Sequence, residues 1–498
     1  MKCFLAFCLS AAVLLPARTA WGQDDGPLPR ATPEEVGVPV KALCEFVREL
    51  DSYKYVHGFM VLRHGKVVAE GWRAPYSSDD PHMLFSGTKS FTAVAIGMAE
   101  DDGKLSVNDK LVKYFPHKLS AKVSPEMRTV TLHNLLTMAS GHDQCPLGIM
   151  LLQGNDMEKA FLESKLVHKP GSRFVYNNGA SYMLSATVRA VTGRKLSEFL
   201  DGRLFKPLGI RNYRTLCCPS GNDYGAFGFS IRTEDFAKFG QLLLQKGVWG
   251  GKRLVSAGFV ERASGHRIDK YSGDVYGYGY QFWGGEEKTF RADGAHGQYS
   301  VVCPEKDMVV AVNNGTDALE KSRMCIMHLL SKVKADGPLP PDPQGRAELG
   351  RLCNSLAFPA LKGDLQKRSG AGEYRLSFNI MMFSRMRIAY EGDVCRVRLT
   401  SPFGARHEFT AGFGRYLRDG KVVLPMFNTQ KVAAQCAWTA ADTLTFDIVG
   451  YESPFQWKYT LVFGKGGKVS VDINEPEYLH QPGKRVTCTG VLVQGGKS

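Results

Sequence analysis

The chain has 498 residues, 44% of them hydrophobic and 22% charged, the balance of a soluble globular protein. At ~100–200 residues per domain, that length allows two to three domains. The net charge is +14, but Lys and Arg are spread along the chain without a basic block, which argues against a nucleic-acid partner.

Residues 1–22 read as a secretory signal. Lys2 gives the positive start, Phe4 to Leu15 the apolar core, and Thr19-Ala20-Trp21-Gly22 precedes a cut near Gln23. No later segment reaches the ~18 apolar residues of a membrane span, and no lipobox precedes Cys8. The expectation is an exported protein, periplasmic or secreted, with no integral membrane segment in its mature chain. Of 12 cysteines, Cys3 and Cys8 leave with the signal, and the rest are scattered. Most are expected to be small buried residues, and Cys217-Cys218 suits either a strained vicinal bridge or two unrelated thiols. No Cys/His spacing resembles a zinc site, so no metal and no cofactor is expected.

A short helix is expected from about Val40 to Leu50, entered through Pro39. His57 to Gly71 reads as a β-hairpin turning at His64-Gly65-Lys66. Tyr76 to His82 is a loop that delivers the chain to Leu84–Glu100, a helix opening at Ser86 with Lys89 on the same face about one turn later. A hydroxyl is a weak nucleophile at neutral pH, and an amine beside it takes its proton only if that amine is often neutral. Phe91, Val94, Ala95, Ile96 and Met98 make the helix apolar on nearly every side, so it should be buried, and burial lowers a lysine pKa. The helix N-terminus adds N–H groups and positive dipole where an oxyanion would form. Ser-x-x-Lys alone also fits an ordinary cap followed by an exposed lysine, so the rest of the chain must decide.

Gly103 is the natural stop of this helix, Val107 to Phe115 is a short amphipathic piece, and Thr131 caps a short helix that reaches Met138. A Pro170-Gly171 turn leads to a loop with Tyr176-Asn177-Asn178, followed by a helix from about Ala180 to Ala190 that Gly193 ends. Tyr176 and Asn178 can point into one cleft, and a phenol beside a lysine cation loses its proton more readily. A packed tyrosine beside a turn asparagine is the plain alternative. Thr233-Glu234-Asp235 opens a helix that stops at Gly247. Val275 to Trp283 alternates aromatics with small residues in the manner of a strand, Arg291 to Ser300 leads into Val301-Val302, Met308 to Val312 is a buried strand, and Ser322 to Val333 is a closing helix. The order suggests an antiparallel sheet with helices packed on it, an α+β arrangement.

Ser86-Gly87-Thr88-Lys89, Tyr176-Asn177-Asn178 and the strand ending Ala292-Asp293-Gly294-Ala295-His296-Gly297-Gln298-Tyr299 together resemble the serine β-lactamase-related family. That family includes class C β-lactamases, D-alanyl-D-alanine carboxypeptidases, D-aminopeptidases and esterases. The resemblance covers about residues 30–335 and extends to Glu100–Leu111, Val130–Gly141 and Phe205–Ile210. It implies an all-helical subdomain beside the sheet and an exported serine hydrolase working through an acyl-Ser86 intermediate. Lys89 and Tyr176 would carry protons, Asn178 would hold the lysine or the substrate amide, and the N–H groups of Ser86 and Ala295, next to Gly294, would form the oxyanion hole. The substrate would be a small molecule or a peptide.

The third motif departs from the family pattern. Ala292-Asp293-Gly294 has no cation where β-lactamases bind a substrate carboxylate, and Asp293 would repel one. This favours an ester or amide substrate with weak or no β-lactam hydrolysis. A shifted register would instead place His296-Gly297-Gln298 there; otherwise His296 lines the cleft. Two other readings are a Ser86/His296/Asp triad and a non-catalytic binding or sensor protein retaining the fold.

Ala335 to Gly345 is a Pro-rich linker, and residues 347–358 look helical. From about Gly372, Tyr374-Leu376-Phe378, Met386–Tyr390, Val394–Leu399, Val422–Leu424, Thr443–Ile448 and Trp457–Phe463 alternate as strands, suggesting a β-barrel or sandwich similar to the lipocalin-like modules that follow some members of this family. The expected division is a signal at 1–22, a hydrolase domain at 23–335, a linker and helix at 336–358 and a β-rich domain at 359–498.

Overall fold

The computed structural model describes residues 26–316, 318–334, 336–404, 406–424, 428–474 and 485–495; the signal expected at residues 1–22 lies outside them. After helix α1 (Val40–Ser52), strands β1 (Val56–Arg63) and β2 (Lys66–Trp72) form the expected hairpin. Both of its turn residues are left-handed, His64 at φ 50° and Gly65 at φ 73°, which matches the twist of the flanking strands. All eight residues of β1 are buried, so this strand lies inside a sheet.

Helix α2 (Thr88–Asp101), helix α3 (Asn178–Thr192) and helix α4 (Thr233–Leu244) precede strands β3 (Phe290–Gly294), β4 (Gln298–Cys303) and β5 (Met308–Asn314). The sheet order is β2-β1-β5-β4-β3, with a two-residue strand, Trp283–Gly284, beyond β3. Every pairing is antiparallel. Helix α1, helix α5 (Leu319–Lys332) and helix α6 (Pro343–Asn354) cover one face, where Phe46, Leu50, Ile326 and Leu330 bury Val61 and Val310. Helices α2 and α4 lie on the other, where Phe236 and Phe239 join Met60, Val309 and Ala311. Gly240 lets α4 approach the sheet closely: a Cβ there would lie 2.5 Å from Ser300 Oγ. Helix α2 is buried from Thr88 to Ala99, and Phe91 stacks on Phe239 at 3.8 Å between centroids.

Residues 275–282 correct the strand expectation. Gly277 (φ 66°) and Gln281 (φ 62°) turn the chain back on itself, and Tyr278 bridges Ile268 and Trp283. The alternation arises because the small residues admit backbone: a Cβ on Gly279 would lie 1.9 Å from the Ala263 carbonyl. Asn178 also differs from expectation, since it lies in the first turn of α3 rather than in a loop, with Asn177 as the cap accepting from Ala180 N at 3.0 Å.

The C-terminal strands are β6 (Gly372–Leu376), β7 (Arg385–Glu391), β8 (Val394–Thr400), β9 (Arg406–Phe413), β10 (Gly420–Leu424), β11 (Asn428–Lys431), β12 (Ala433–Ala440), β13 (Thr443–Val449), β14 (Gln456–Phe463), β15 (Lys468–Asn474) and β16 (Arg485–Gly495). Nine of them close into a ring, β6-β7-β8-β9-β12-β13-β14-β15-β16, leaving β10 and β11 as a hairpin on β9; the module is therefore a barrel, not a sandwich. The β9–β12 contact is the one parallel pairing in that ring. Strand β12, Ala-Ala-Gln-Cys-Ala-Trp-Thr-Ala, escapes a sequence reading because it is rich in alanine, which favours helices, and its first six residues are all buried, which removes the alternation. Phe378, expected in a strand, lies beyond the end of β6.

The barrel seats on the sheet-and-helix unit through residues 450–455. Tyr76 Oη donates to the Ser453 carbonyl at 2.8 Å, and Met83 N donates to the Glu452 carbonyl at 3.0 Å. Arg214 and Lys431 both pair with Glu452, and Arg418 pairs with Asp80. Met83 and Phe85 belong to the same buried cluster as the barrel core.

Candidate active site

Ser86 sits in a 3₁₀ turn, Phe85–Gly87, immediately before α2, rather than capping that helix. Phe85 has φ 47°, a left-handed conformation costly for a bulky residue, so the surroundings must hold it. They do so on both sides: Leu84 N donates to the Phe229 carbonyl at 2.9 Å, and the Phe85 ring meets those of His296 at 5.1 Å and Phe455 at 6.1 Å. The serine is thereby placed at the surface of an otherwise buried segment.

Lys89 is 1% exposed. Its Nζ lies 3.0 Å from Ser86 Oγ, 2.7 Å from Asn178 Oδ1 and 2.8 Å from the Ala226 carbonyl oxygen. Two of these partners can only accept. A neutral amine has two N–H bonds and one lone pair, so donation to Asn178 and Ala226 leaves the lone pair for the Ser86 hydroxyl. Burial lowers the Lys89 pKa to about 7. The residues thus set both the protonation state and the direction of the free lone pair.

Tyr176 reaches the same point from the residues just before α3. Its hydroxyl makes a hydrogen bond with Ser86, and Lys89 Nζ stands 4.7 Å from its ring centroid. Burial pushes the Tyr176 pKa up, which corrects the expectation of a phenol that ionises easily: desolvation outweighs the hydrogen bond with Ser86, and the nearby amine is itself mostly uncharged above pH 7. Tyr176 is therefore suited to hold and donate a proton. Trp283 stacks on it at 5.8 Å between centroids.

Strand β3 closes the other side. Gly294 packs against the turn so tightly that a Cβ would lie 2.0 Å from the Leu84 carbonyl oxygen and 3.1 Å from Gly87 N. Ala295 and His296 follow in the turn to β4, where Gly297 N donates to the Gly294 carbonyl at 3.2 Å and Gln298 Nε2 to the Ala295 carbonyl at 3.3 Å. His296 has φ 62° and packs on Phe85 and Phe455. Ala292 faces the core. Asp293 is not a lone charge: Arg291 Nε lies 2.8 Å from its Oδ2, and the Arg291 guanidinium stands over the Trp283 ring. Burial raises the Asp293 pKa against the opposing pull of Arg291.

Ser86, Lys89, Tyr176, Asn178 and Gly294 thus converge on one cleft. Sequence reading missed three contributors. Ala226 acts through its backbone, which leaves no side-chain signal. Cys145 accepts from Asn178 N at 3.2 Å from a loop with no motif. Trp283 was read as part of a strand, without its stacking on Tyr176. The ten described cysteines are all free thiols, including Cys217 and Cys218.

The family model described as Beta-lactamase matches residues 56–323, more than half of the chain. The 6-aminohexanoate-dimer hydrolase of Paenarthrobacter ureafaciens is 26% identical over 307 residues, 56% of this chain and 78% of that protein. Protein flp of Staphylococcus aureus (strain MW2) is 26% identical over 189 residues, 35% of this chain but 37% of that protein. A solved Bacillus anthracis structure, described as that of a presumed 6-aminohexanoate-dimer hydrolase, aligns with a TM-score of 0.53 at 21% identity, covering 62% of this chain and 89% of the other, a likeness of fold.

Proposed function

The chain belongs to the Beta-lactamase family, and from that premise we propose that it is an exported serine hydrolase that cleaves an ester or amide through an acyl-Ser86 intermediate. The observation that carries this reading is the hydrogen bonding of Lys89: two acceptors occupy its N–H bonds, and its remaining position faces Ser86 Oγ at 3.0 Å.

In this reading neutral Lys89 takes the Ser86 proton as Oγ attacks the acyl carbon. The oxyanion is held by the N–H groups of Ser86 and Ala295, at the contact between Gly294 and the Leu84–Gly87 turn. Tyr176 passes a proton to the leaving group. The Lys89 ammonium then returns its proton to the Tyr176 phenolate. Water attacks the acyl-enzyme as neutral Lys89 takes its proton, the bond from Ser86 Oγ to the acyl carbon breaks, and Lys89 hands the proton back to Ser86 Oγ. Arg291 is already paired with Asp293, so this strand offers no free cation to a substrate carboxylate, which favours esterase or amidase action over β-lactam hydrolysis. A relative named for hydrolysing an amino-acid dimer supports the amide option. The catalytic unit is residues 23–335, with export directed by residues 1–22 and the β-domain spanning 359–498.

The test is intact-mass analysis after incubation with a panel of chromogenic esters, aminoacyl anilides and β-lactams. The expected result is an acyl adduct and turnover with an ester or amide, both lost in Ser86→Ala. Turnover surviving in Ser86→Ala removes the nucleophile, and the absence of both adduct and turnover across the panel leaves a binding protein.

A further inference from the structure

The barrel register puts two described loops, 377–384 and 401–404, at one end: Arg375 pairs with Arg385, and Arg385 with Thr400, where β8 leaves for β9. These loops expose four large apolar side chains, Phe378 at 92%, Phe403 at 81%, Ile380 at 63% and Met382 at 52%. Such a group at a loop tip is unusual on a surface that meets only water.

The longer loop is built to present them. Asn379 is buried and ties the loop from inside: its Nδ2 donates to the carbonyls of Ser377 at 3.0 Å and Phe383 at 2.8 Å, and its Oδ1 accepts from Phe383 N at 3.1 Å. Met382 N donates to the Asn379 carbonyl at 2.9 Å, with Met382 itself at φ 56°. Asn379 and Phe383 therefore point inward, and Phe378, Ile380 and Met382 are left outside on a loop held in shape.

Behind this tip the outer face of β6, β7 and β8 is lined with arginine. Arg375 stands directly opposite Arg385, and Arg387 directly opposite Arg398. Like charges in such cross-strand positions destabilise a sheet, so folding alone does not favour them. Glu373 pairs with Arg385 and Glu408 with Arg398, while Arg375 and Arg387 form no ion pair among the described residues. An apolar tip backed by cations complements an anionic bilayer surface, where apolar side chains enter the headgroup region and guanidinium groups meet phosphates.

We propose that this barrel end is a lipid-docking tip, with Phe378, Ile380, Met382 and Phe403 inserting into an anionic bilayer surface and Arg375 and Arg387 contacting its headgroups. Residues 450–455 leave β13 at the same end and place Phe455 on Phe85, beside Ser86, so docking holds the catalytic unit at that surface.

The experiment is co-sedimentation of the purified protein with vesicles of phosphatidylcholine alone and of phosphatidylcholine mixed with phosphatidylglycerol. Binding to the mixed vesicles is expected, weakened by salt. The double variant Phe378→Ser/Phe403→Ser should lose at least ~10-fold in partitioning, the scale set by the apolar burial removed. Arg375→Gln/Arg387→Gln should remove the preference for the anionic mixture. Because these side chains are exposed, both double variants should keep soluble-ester turnover; the serine variant should keep the wild-type melting temperature, and the glutamine variant should match or exceed it because two like-charge pairs are relieved. Failure of wild type to sediment with the mixed vesicles overturns the proposal, as does undiminished binding by the serine variant. A dimer in solution dissolved by the serine substitutions also overturns it, since the tip would then belong to a second copy of the chain.

Discussion

Lys89 Nζ faces Ser86 Oγ at 3.0 Å while Asn178 and the Ala226 carbonyl take its two other directions. The amine is thus aimed as well as discharged, and its titration should govern the rate. With the Lys89 pKa lowered to about 7 by burial, the base form is lost as pH falls through that value. Below pH 7, kcat/KM for a neutral ester should drop about tenfold per pH unit, and above it should level off. A rate independent of pH between 5 and 8 would remove Lys89 as the base.

Tyr176 should matter without setting that profile. Its pKa is raised by burial, so it stays protonated across the working range. Tyr176→Phe is expected to lower kcat by at least ~10²-fold while leaving the acidic limb near pH 7. Measuring the full pH profile of the variant separates the two residues: a displaced limb would mean that the phenol, not the amine, titrates.

The contact at Gly294 should be as demanding as any side chain. A Cβ there meets the Leu84 carbonyl oxygen at 2.0 Å, and backbone cannot move aside cheaply. Gly294→Val should push β3 away from the Ser86 turn and cost at least ~10²-fold in rate, the scale of losing an oxyanion donor. The accompanying loss of stability should be about 1–3 kcal/mol, read from denaturant titration. Near-normal activity would show that the β3 edge takes no part in the site.

Phe455 links the barrel to the nucleophile turn. Truncation to Ala removes the ring that meets Phe85 and His296 and should lower stability by about 3–5 kcal/mol, the usual cost for a buried phenylalanine. Turnover by the folded fraction should fall as well, because Phe85 loses one of the groups holding its left-handed backbone. Unchanged kcat in a destabilised variant would make the contact purely structural.

Acid should unfold the protein through buried imidazoles. His82 Nδ1 lies 3.0 Å from the Met83 carbonyl and so donates to it; His82 Nε2 then accepts from His57 Nδ1 at 3.0 Å, a bond that requires His82 to be neutral. Burial lowers the pKa of His57 well below 6.5, with His82 adding to it, and lowers those of His82, His142 and His407 to about 4. Folded pKa values below the unfolded value mean that the unfolded chain binds more protons. Their contribution is therefore complete above pH 6.5 and is lost as pH falls towards 4. The melting temperature should decline over that window, and less steeply in His57→Phe. Equal slopes for variant and wild type would remove His57 from the account.

The sequence by itself determined the ordered motifs, the burial of α2 and the antiparallel α+β plan, because each rests on local periodicity or short spacing. Ser86 and Lys89 are three residues apart, so helical geometry alone brings them together. Tyr176, Asn178 and Gly294 were legible by motif, but their convergence depends on contacts across roughly 90 to 200 positions. Only the tertiary structure decided the protonation of Tyr176, since desolvation is a property of everything packed around it. It also supplied the Ala226 carbonyl, which has no side-chain signature, and turned residues 275–282 from a strand into a folded loop through contacts with backbone distant in the chain. Barrel closure and the seating of Phe455 on Phe85 belong to the same class. They are set by which strand edges and rings meet in space, and the alanine-rich, buried β12 gives no periodicity from which to read them.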